Sequence, residues 1–345
     1  VLNDVEFIKV KGKMNDADWT DIMNMQNLKA LDLSEAIITS VPDNAFKNKT
    51  LLNSVILPEG VTFIGTSAFY GTNIRRIHIP STVTEIKESA FNATPIMYVT
   101  FADDSQLKII GRFAFYSCKY LQEINLPAQL EQILWRAFDY CETMKNVTMG
   151  DAVTNIENYA FRNCYALQSI RFSDALEEMM PQMCCYDRAL TNVHLPANLK
   201  RLDYEAFYET KALRNIEFPE SLMQIEYSVF NYSGLETVKL PINLCVLGEN
   251  AFSNIANLKY IELPSYLQTA NYASHRDYYD SLQRDYYGRG AGYRSNFQSC
   301  PNIEKIVMRS ATPPEVPADP FAGSRDKTVI TLVVPSFAVV NYKLD

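Results

Sequence analysis

A phenylalanine recurs along this chain of 345 residues at a spacing of 22 to 24 residues. Eleven of twelve such slots hold Phe, eight of them directly after Ala, and Cys184 occupies the seventh slot. One step is longer, at 45 residues. The phenylalanines are Phe46, Phe69, Phe91, Phe115, Phe138, Phe161, Phe207, Phe230, Phe252, Phe297 and Phe321. Such a period is typical of repeat proteins, whose units bury their apolar side chains only against neighbouring units.

An aliphatic pattern follows most of these phenylalanines and predicts a short strand in each unit. It reads Leu-x-x-Ile-x-Leu-Pro, as in "INLP" 124–127, "VHLP" 193–196, "IEFP" 216–219 and "IELP" 261–264. Alternation of apolar and polar residues places two side chains inward and one outward. Proline ends the strand because it has no N–H group for a neighbouring strand. Strands that arrive every ~23 residues stack in parallel, so the sequence predicts a solenoid.

Together, the Ile-x-Leu-Pro and Ala-Phe-x-x-Cys motifs resemble the repeat of the BspA-like leucine-rich repeat family, over roughly residues 41–321. The fold class that we expect is therefore a leucine-rich-repeat solenoid. It would be a right-handed coil of about twelve units of ~23 residues, mostly β and loop, with short parallel strands, short helical turns and a capped N-terminus. The weakest unit is at 179–190, where Met183 and Cys184 replace Ala and Phe.

Both ends of the chain differ from the repeat. Residues 1–40 are predicted to form an N-terminal cap with a strand at 5–10 and a helix at 15–25, because an open solenoid end needs a polar cover. Asn15 or Asp16 is the expected helix N-cap. Residues 322–345 resemble the start of the family's C-terminal closing segment, which we expect to stop before its last element. The chain begins with Val rather than Met, and we expect a targeting signal to precede it in the native protein.

The step of 45 residues between Phe252 and Phe297 predicts an insertion at about 269–296. This segment is rich in Tyr, Arg and Gly. Long insertions in solenoids project as loops, often on the binding side, and Tyr and Arg are frequent at interface hot spots. An alternative interpretation is that these tyrosines pack on the flank of the solenoid itself. The candidate binding residues in the insertion are Tyr278, Tyr279, Arg284, Tyr286 and Tyr287.

Four of the seven cysteines occupy one slot, three residues after the Phe. They are Cys118, Cys141, Cys164 and Cys300. A metal site would require side chains that converge on one point, whereas cysteines in consecutive units form a column of parallel side chains. Parallel Cβ vectors also disfavour disulfides. We therefore predict that these thiols are buried, reduced and free of metal.

Charge and motif content argue against several functional classes. A net charge of −8 is not that of a nucleic-acid binder, which needs a basic surface to neutralise phosphates. No apolar run reaches the ~18 residues of a membrane-spanning helix. His78 and His194 occupy the same slot five units apart, about 24 Å at the strand spacing, so they cannot bind one metal ion. With no catalytic motif, we predict no enzyme, no metal site and no cofactor.

Residues that point outward from the predicted strands form the other candidate binding surface. Tyr98, Arg171, His194 and Tyr260 lie there, among polar side chains with charges of both signs. We predict a non-catalytic recognition or adhesion module that binds a macromolecule through this face, the insertion or both. The alternative is a passive spacer or a self-associating surface protein. The family resemblance implies a secreted or surface-anchored bacterial protein, with a protein or glycan partner on host or other cells, and leaves the oligomeric state open.

Overall fold

The chain folds as a parallel-strand β-solenoid of about twelve turns, as the repeat predicts. A computed structural model describes residues 2–265, 268–269, 296–310 and 330–336. The predicted insertion lies outside the described residues from 270 to 295, and so does Phe321. Of the predicted closing segment at 322–345, only residues 330–336 are described.

The chain divides into two compact units. The first comprises Val1–Leu176 and Gln182–Pro196, and the second comprises Glu177–Pro181 and Ala197–Asp345. The boundaries therefore lie between 176 and 197, in and around the repeat at 179–190 that the sequence marks as the weakest.

Most elements are short strands, and one α-helix, α1, lies near the start at Asp16–Asn24. The first strands are β1 (Phe7–Lys13), β2 (Ala30–Ile37), β3 (Ser40–Val41), β4 (Ser54–Ile56), β5 (Phe63–Ile64), β6 (Arg76–Ile79), β7 (Glu85–Ile86), β8 (Tyr98–Phe101), β9 (Ile109–Ile110), β10 (Glu123–Asn125), β11 (Gln132–Ile133), β12 (Asn146–Thr148), β13 (Asn155–Ile156) and β14 (Ser169–Arg171). They continue as β15 (Glu178–Met179), β16 (Asn192–His194), β17 (Arg201–Leu202), β18 (Gln224–Ile225), β19 (Thr237–Lys239), β20 (Val246–Leu247), β21 (Tyr260–Leu263), β22 (Gln268–Thr269), β23 (Lys305–Met308) and β24 (Thr331–Val333).

The strands of the first unit form three parallel sheets. β1, β2 and β4 make an N-terminal sheet. The front sheet has the strand order β16-β14-β12-β10-β8-β6, and the back sheet has the order β13-β11-β9-β7-β5-β3. In the front sheet Ile124 is paired with Val147, and Val147 is paired with Ile170. Equivalent side chains of successive turns therefore form columns.

The second unit repeats this arrangement with two parallel sheets. One has the order β15-β17-β18-β20-β22, and the other has the order β19-β21-β23-β24. The last strand, β24, lies in the predicted closing segment and is paired with β23, so this part of the segment extends a sheet of the repeats.

A column of stacked phenylalanine rings fills the interior of each unit. From Phe46 to Phe161 the centroids of consecutive rings are 5.3 to 5.4 Å apart, with interplanar angles of 2 to 16°. From Phe207 to Phe297 the centroids are 5.2 to 5.7 Å apart. These distances are close to the ~4.8 Å separation of hydrogen-bonded strands. Each aromatic pair adds about 0.5–1.5 kcal/mol of stability beyond the burial of its surface.

The turn around each Phe is joined to the next repeat by backbone hydrogen bonds. These turns are at the positions where the sequence predicts short helical turns. The residues two positions before and after the Phe have positive φ, as Asn44 (58°) and Asn48 (61°) do around Phe46. Some N–H groups consequently point to the next turn. The N–H of Phe69, for example, donates to the carbonyl of Ala90 at 2.8 Å.

The N-terminal helix covers the end of the first phenylalanine column. Asn15 is its N-cap, as one of the two predictions has it, because its side chain accepts from the N–H groups of Ala17 and Asp18. The Asp18 carboxylate bonds back to the Asn15 N–H, which completes a capping box. The ring of Trp19 lies 6.3 Å from that of Phe46. The first strand, β1, runs three residues beyond the predicted end at residue 10.

Two repeats deviate from the pattern in different ways. The unit without Phe keeps its path, since Met183 and Cys184 are buried and the Phe161 N–H donates to the Met183 carbonyl at 3.1 Å. The strand predicted at 216–219 is absent, because those residues have no ladder hydrogen bonds. The large side chain of Phe218 does not explain this loss, since Phe172 occupies the same slot directly after β14.

Truncating one ring in the middle of the phenylalanine column should be costly. We expect Phe138→Ala to lower the free energy of unfolding by about 3–5 kcal/mol, because the rings on both sides cannot collapse into the cavity. Tyr120→Ala is the matched control, since Tyr120 is 58% exposed and its loss should change stability by less than about 0.5 kcal/mol. Urea unfolding followed by circular dichroism measures both. Equal effects of the two substitutions would contradict the role of the column.

Candidate functional site

The outward side of the front sheet presents a band of polar side chains. Inward residues such as Ile124 and Val147 are at most 2% exposed, whereas their outward neighbours reach solvent. We call this outward surface the front face, which consists of Arg76, His78, Tyr98, Thr100, Glu123, Asn125, Asn146, Thr148, Ser169, Arg171, Asn192 and His194. Amides and hydroxyls occupy its centre, and charged or aromatic groups lie towards its two ends.

Arg171 and His194, two of the predicted site residues, are brought together at one end of the front face. They are register partners on β14 and β16. Asp174 lies between them, with Oδ2 3.1 Å from Arg171 Nη2 and Oδ1 3.6 Å from His194 Nε2. Asp151 is a further 3.7 Å contact of the guanidinium. The group is a partly exposed polar cluster with charges of both signs, which can form hydrogen bonds with donors and acceptors alike.

Tyr98 lies at the other end of the front face. Its hydroxyl donates to Gln122 Oε1 at 3.0 Å, and the Arg76 guanidinium lies 4.9 Å from the ring centroid. The ring is therefore held in one orientation. β8 is separated from β14 by β10 and β12, so Tyr98 and Arg171 lie on strands about 14 Å apart at the usual strand spacing. They can contact one extended ligand but not one small group.

Tyr260 belongs to the second unit, on β21. The ammonium groups of Lys239 and Lys305 lie 6.0 and 5.8 Å from its ring centroid, and its hydroxyl donates to Glu262 Oε2 at 3.2 Å. Partial burial and the neighbouring Glu262 carboxylate raise the pKa of Tyr260, so the hydroxyl remains a donor at neutral pH. The insertion residues Tyr278, Tyr279, Arg284, Tyr286 and Tyr287 lie outside the described residues.

A second surface, which the sequence reasoning missed, lies on the turns around three consecutive phenylalanines. We call it the turn edge, and it consists of Phe113, Tyr116, Trp135, Arg136, Tyr140, Tyr159 and Arg162. Its rings meet edge to face, with centroids 4.7 Å apart for Phe113 and Trp135 and 6.3 Å apart for Trp135 and Tyr159. One sequence signal for this surface is the slot two residues before the Phe. It holds the small residues Ser67 and Ser89 in earlier turns but large residues in these three turns.

That slot has a backbone conformation that large side chains rarely adopt. Phe113, Arg136 and Tyr159 have φ of 55°, 55° and 64°. A bulky residue in this left-handed region costs about 1–2 kcal/mol. Smaller Ser and Asn side chains are found at the slot in other turns. Strain of this kind is concentrated at functional sites, so the large side chains at the turn edge require an explanation.

Two buried carboxyl groups lie beneath the turn edge. Asp139 bonds to Arg162 Nη2 at 2.9 Å and to Asn163 Nδ2 at 3.0 Å. Asp187 accepts from the Cys164 N–H at 2.8 Å through Oδ1, while its Oδ2 has no hydrogen-bond partner among the described residues. Burial raises the pKa of Asp139, and it raises the pKa of Asp187 well above the usual value.

Comparison with known families decides what this repeat is. A family model described as BspA type leucine rich repeat region (6 copies) matches residues 5–97, 92–184 and 178–277. The chain belongs to this family. Leucine-rich repeat proteins in general bind protein partners, and the family is generally non-enzymatic.

Several solved structures of leucine-rich repeat proteins are similar to this chain. A leucine-rich repeat protein from Bacteroides ovatus is 26% identical, with a TM-score of 0.60, over 79% of this chain and 66% of that one. This chain thus spans just under two thirds of that protein. A leucine rich repeat protein of T. pallidum is 25% identical, with a TM-score of 0.42, over 51% of this chain and 78% of that one. A leucine rich cell surface protein from Faecalibacterium prausnitzii is 20% identical, with a TM-score of 0.44, over 90% and 87%. Among curated proteins, none matches the chain.

Within the described ranges, no group of three or more His, Cys, Asp or Glu side chains could hold a metal ion. None of the helices in the same residues is long and apolar enough to cross a membrane.

The cysteines of the BspA-type repeats close the turns. As predicted, Cys118, Cys141 and Cys164 are fully buried, and all seven cysteines of the chain are unbridged. Their thiols lie 3.1 to 3.4 Å from the carbonyl of the Phe one turn earlier, to which they donate. In other turns Thr72 and Thr94 occupy the slot and bond the carbonyl of their own Phe. Most turns therefore hold a small hydrogen-bond donor at this slot, and Lys49, Asp187 and Ile255 are exceptions.

Burial makes these thiols unreactive. It raises the pKa of Cys118 to about 12 and those of Cys141 and Cys164 well above the ordinary value. Because only the thiolate is nucleophilic, we expect a single fast-reacting thiol in the native protein, Cys245, which is half-buried. Titration with Ellman's reagent should give about one thiol per native chain and seven in urea, and a Cys245→Ser variant should remove the fast phase. Rapid reaction of several native thiols would contradict this assignment.

Asp187 should make stability depend on pH. Its native pKa is raised, so between about pH 4, the unfolded value, and its native pKa the folded chain binds more protons than the unfolded chain. The stabilising contribution of the proton is therefore lost as pH rises through that window, by up to about 1.4 kcal/mol per pH unit. The matched variant is Asp187→Asn, which keeps the Oδ1 acceptor. We expect the stability of the wild type relative to this variant to fall from pH 4 to 8 in urea unfolding, and a constant difference would contradict it.

Proposed function

We propose that this BspA-type chain is a non-catalytic extracellular recognition or adhesion module. Its partner is a protein or glycan on the surface of host or other cells, and the front face is its main contact surface. The observation that carries the proposal is the register of the front sheet. It holds outward side chains as different as Tyr98, Asn146 and Arg171 in fixed rows above a uniform apolar interior.

The chemistry of the front face favours a large, mixed polar partner. Its centre holds uncharged amides and hydroxyls, and Glu123 and Arg171 contribute charges of opposite sign. Such a face does not attract one sign of charge over long distances, and its specificity comes from short-range hydrogen bonds. Several adjacent strands are needed to provide enough contacts, which matches a macromolecule better than a metabolite.

A location outside the cell is supported by the family and by one relative. Proteins of the BspA-type family are often surface proteins involved in protein interaction, and the Faecalibacterium relative is named a cell surface protein. The predicted insertion at 269–296 remains a second proposed contact surface. The competing proposal is a passive spacer or a self-associating protein, for which the front face would be only a solvated surface.

Lysine substitutions on three adjacent strands of the front face, at its β16 end, test this function. Asn146, Ser169 and Asn192 are register neighbours on β12, β14 and β16, and three lysines there would block close approach of a partner. The matched control changes Thr62, Thr84 and Thr154, which are exposed and lie directly before back-sheet strands. Both triple variants add three positive charges to the same unit. Each is applied with the wild type to arrays of host cell-surface proteins and glycans.

The expected result is binding by the wild type and the control, and at least tenfold weaker binding by the front-face variant, or about 1.4 kcal/mol or more. Equal binding by all three chains would place the contact outside the front face. No binding by any chain would favour the spacer, and a wild-type sedimentation coefficient that rises with concentration would favour self-association.

A further inference from the structure

Arg136 has Asp139 at ion-pair distance, but its side chain forms no hydrogen bond among the described residues. Its guanidinium lies 3.8 Å from Asp139, a distance longer than a hydrogen bond. The Nε atom is buried as well. Guanidinium groups carry five N–H donors and stay charged in proteins. A buried donor of this kind without an acceptor is rare and requires an explanation.

The acidic groups nearby cannot supply that acceptor. Asp139 is already bonded to Arg162 and Asn163. The Glu157 carboxylate accepts from the Trp135 backbone N–H at 2.9 Å and lies 3.7 Å from Arg112. Each carboxylate of the turn edge is therefore occupied by other groups.

Aromatic rings hold the Arg136 guanidinium in place. Its central carbon lies 4.8 Å from the Trp135 ring centroid and 5.0 Å from that of Tyr159, in the angle between rings inclined at 72°. The contacts fix the position of the cation without using its N–H groups. Arg136 has the positive φ, 55°, that this slot has in the other described turns, a conformation that a large side chain adopts at a cost.

We propose that the turn edge is a second binding surface, which takes a carboxylate side chain of a partner protein, flanked by apolar residues. The carboxylate pairs with the Arg136 guanidinium through the N–H groups of its two terminal nitrogens, since Nε is buried and faces Asp139. Such an arrangement can involve two parallel hydrogen bonds. The apolar residues beside it pack on Phe113, Trp135 and Tyr140. This surface is separate from the front face and adds a contact with its own chemistry.

The composition of the turn edge favours a protein over an acidic glycan. Trp, Tyr and Arg are the residues most enriched at hot spots of protein interfaces. Aromatic side chains supply a large contact area with few rotatable bonds, so they lose little entropy on binding. An acidic glycan would be better matched by several cations without hydrogen-bonded carboxylates, whereas the neighbouring Arg162 is already hydrogen-bonded to Asp139 at 2.9 Å.

The two tryptophans of the chain allow a direct test. Trp135 is part of the turn edge, and Trp19 in α1 is an internal reference. The full chain is labelled with 5-fluorotryptophan, its two fluorine resonances are assigned with a Trp135→Phe variant, and it is titrated with the peptide Ac-Phe-Glu-Leu-amide. The matched probe is Ac-Phe-Gln-Leu-amide, which lacks only the charge. An oligogalacturonate is the probe for an acidic glycan.

The expected result is a shift of the Trp135 resonance by the Glu peptide, with Trp19 unchanged and at least tenfold weaker binding of the Gln peptide. Arg136→Gln should abolish the shift, and Arg136→Lys, which keeps the charge but not the planar fork, should weaken it. Arg75→Gln removes an exposed charge elsewhere and should have no effect.

The proposal is overturned if the Glu peptide leaves Trp135 unmoved or if both peptides bind equally. It is also overturned if Arg136→Gln binds like the wild type, or if only the oligogalacturonate shifts the resonance. The two wild-type peptide titrations do not depend on the folding of any variant. They also leave the front face untouched, so their failure is distinguishable from failure of the function proposed above.

Discussion

Stacking between the phenylalanine rings of successive turns is the interaction on which the rest of the structure depends. The offset-stacked rings have centroids a little over 5 Å apart, and hydrogen-bonded strands are spaced slightly more closely. Because the two spacings nearly agree, one residue per repeat can fill the interior at each turn without straining the strand ladders. The residue types at neighbouring positions of the repeat then follow from this spacing. They include the small hydrogen-bond donor that closes most turns and the residues with positive φ.

A fixed interior makes the exterior a set of parallel columns, each of which can vary independently. The front face uses this freedom for amides and hydroxyls, with Arg171 and His194 joined through Asp174. The turn edge uses it for aromatic rings and for a cation without a hydrogen bond, Arg136. Two surfaces of different chemistry are thus built on one unit by changing residues that contribute little to its core.

How much could be predicted from the sequence depends on how far each feature relies on neighbouring turns. The solenoid, the buried cysteine column and the Asn15 cap follow from local spacing, because one unit contains the whole pattern. Local spacing does not predict the absence of a strand at 216–218 or the extension of β1 to Lys13, because strand pairing involves residues from separate repeats. The turn edge was missed for the same reason, since Arg136 meets Tyr159 only across a turn. The placement of Arg171 beside His194 follows from the strand register. The bridging Asp174 lies after β14, so the strand pattern does not predict its position.

The missing ring at Cys184 has a consequence for how the chain unfolds. In a linear array, stability is a sum of each repeat's own term and the coupling between neighbours. The chain divides into its two compact units within 177–196, around the one slot that has no phenylalanine. Because Cys184 lacks the ring that stacks at the other slots, we expect the array to melt in two blocks rather than one. The interruption would then act as a boundary that keeps local damage from spreading along the whole chain.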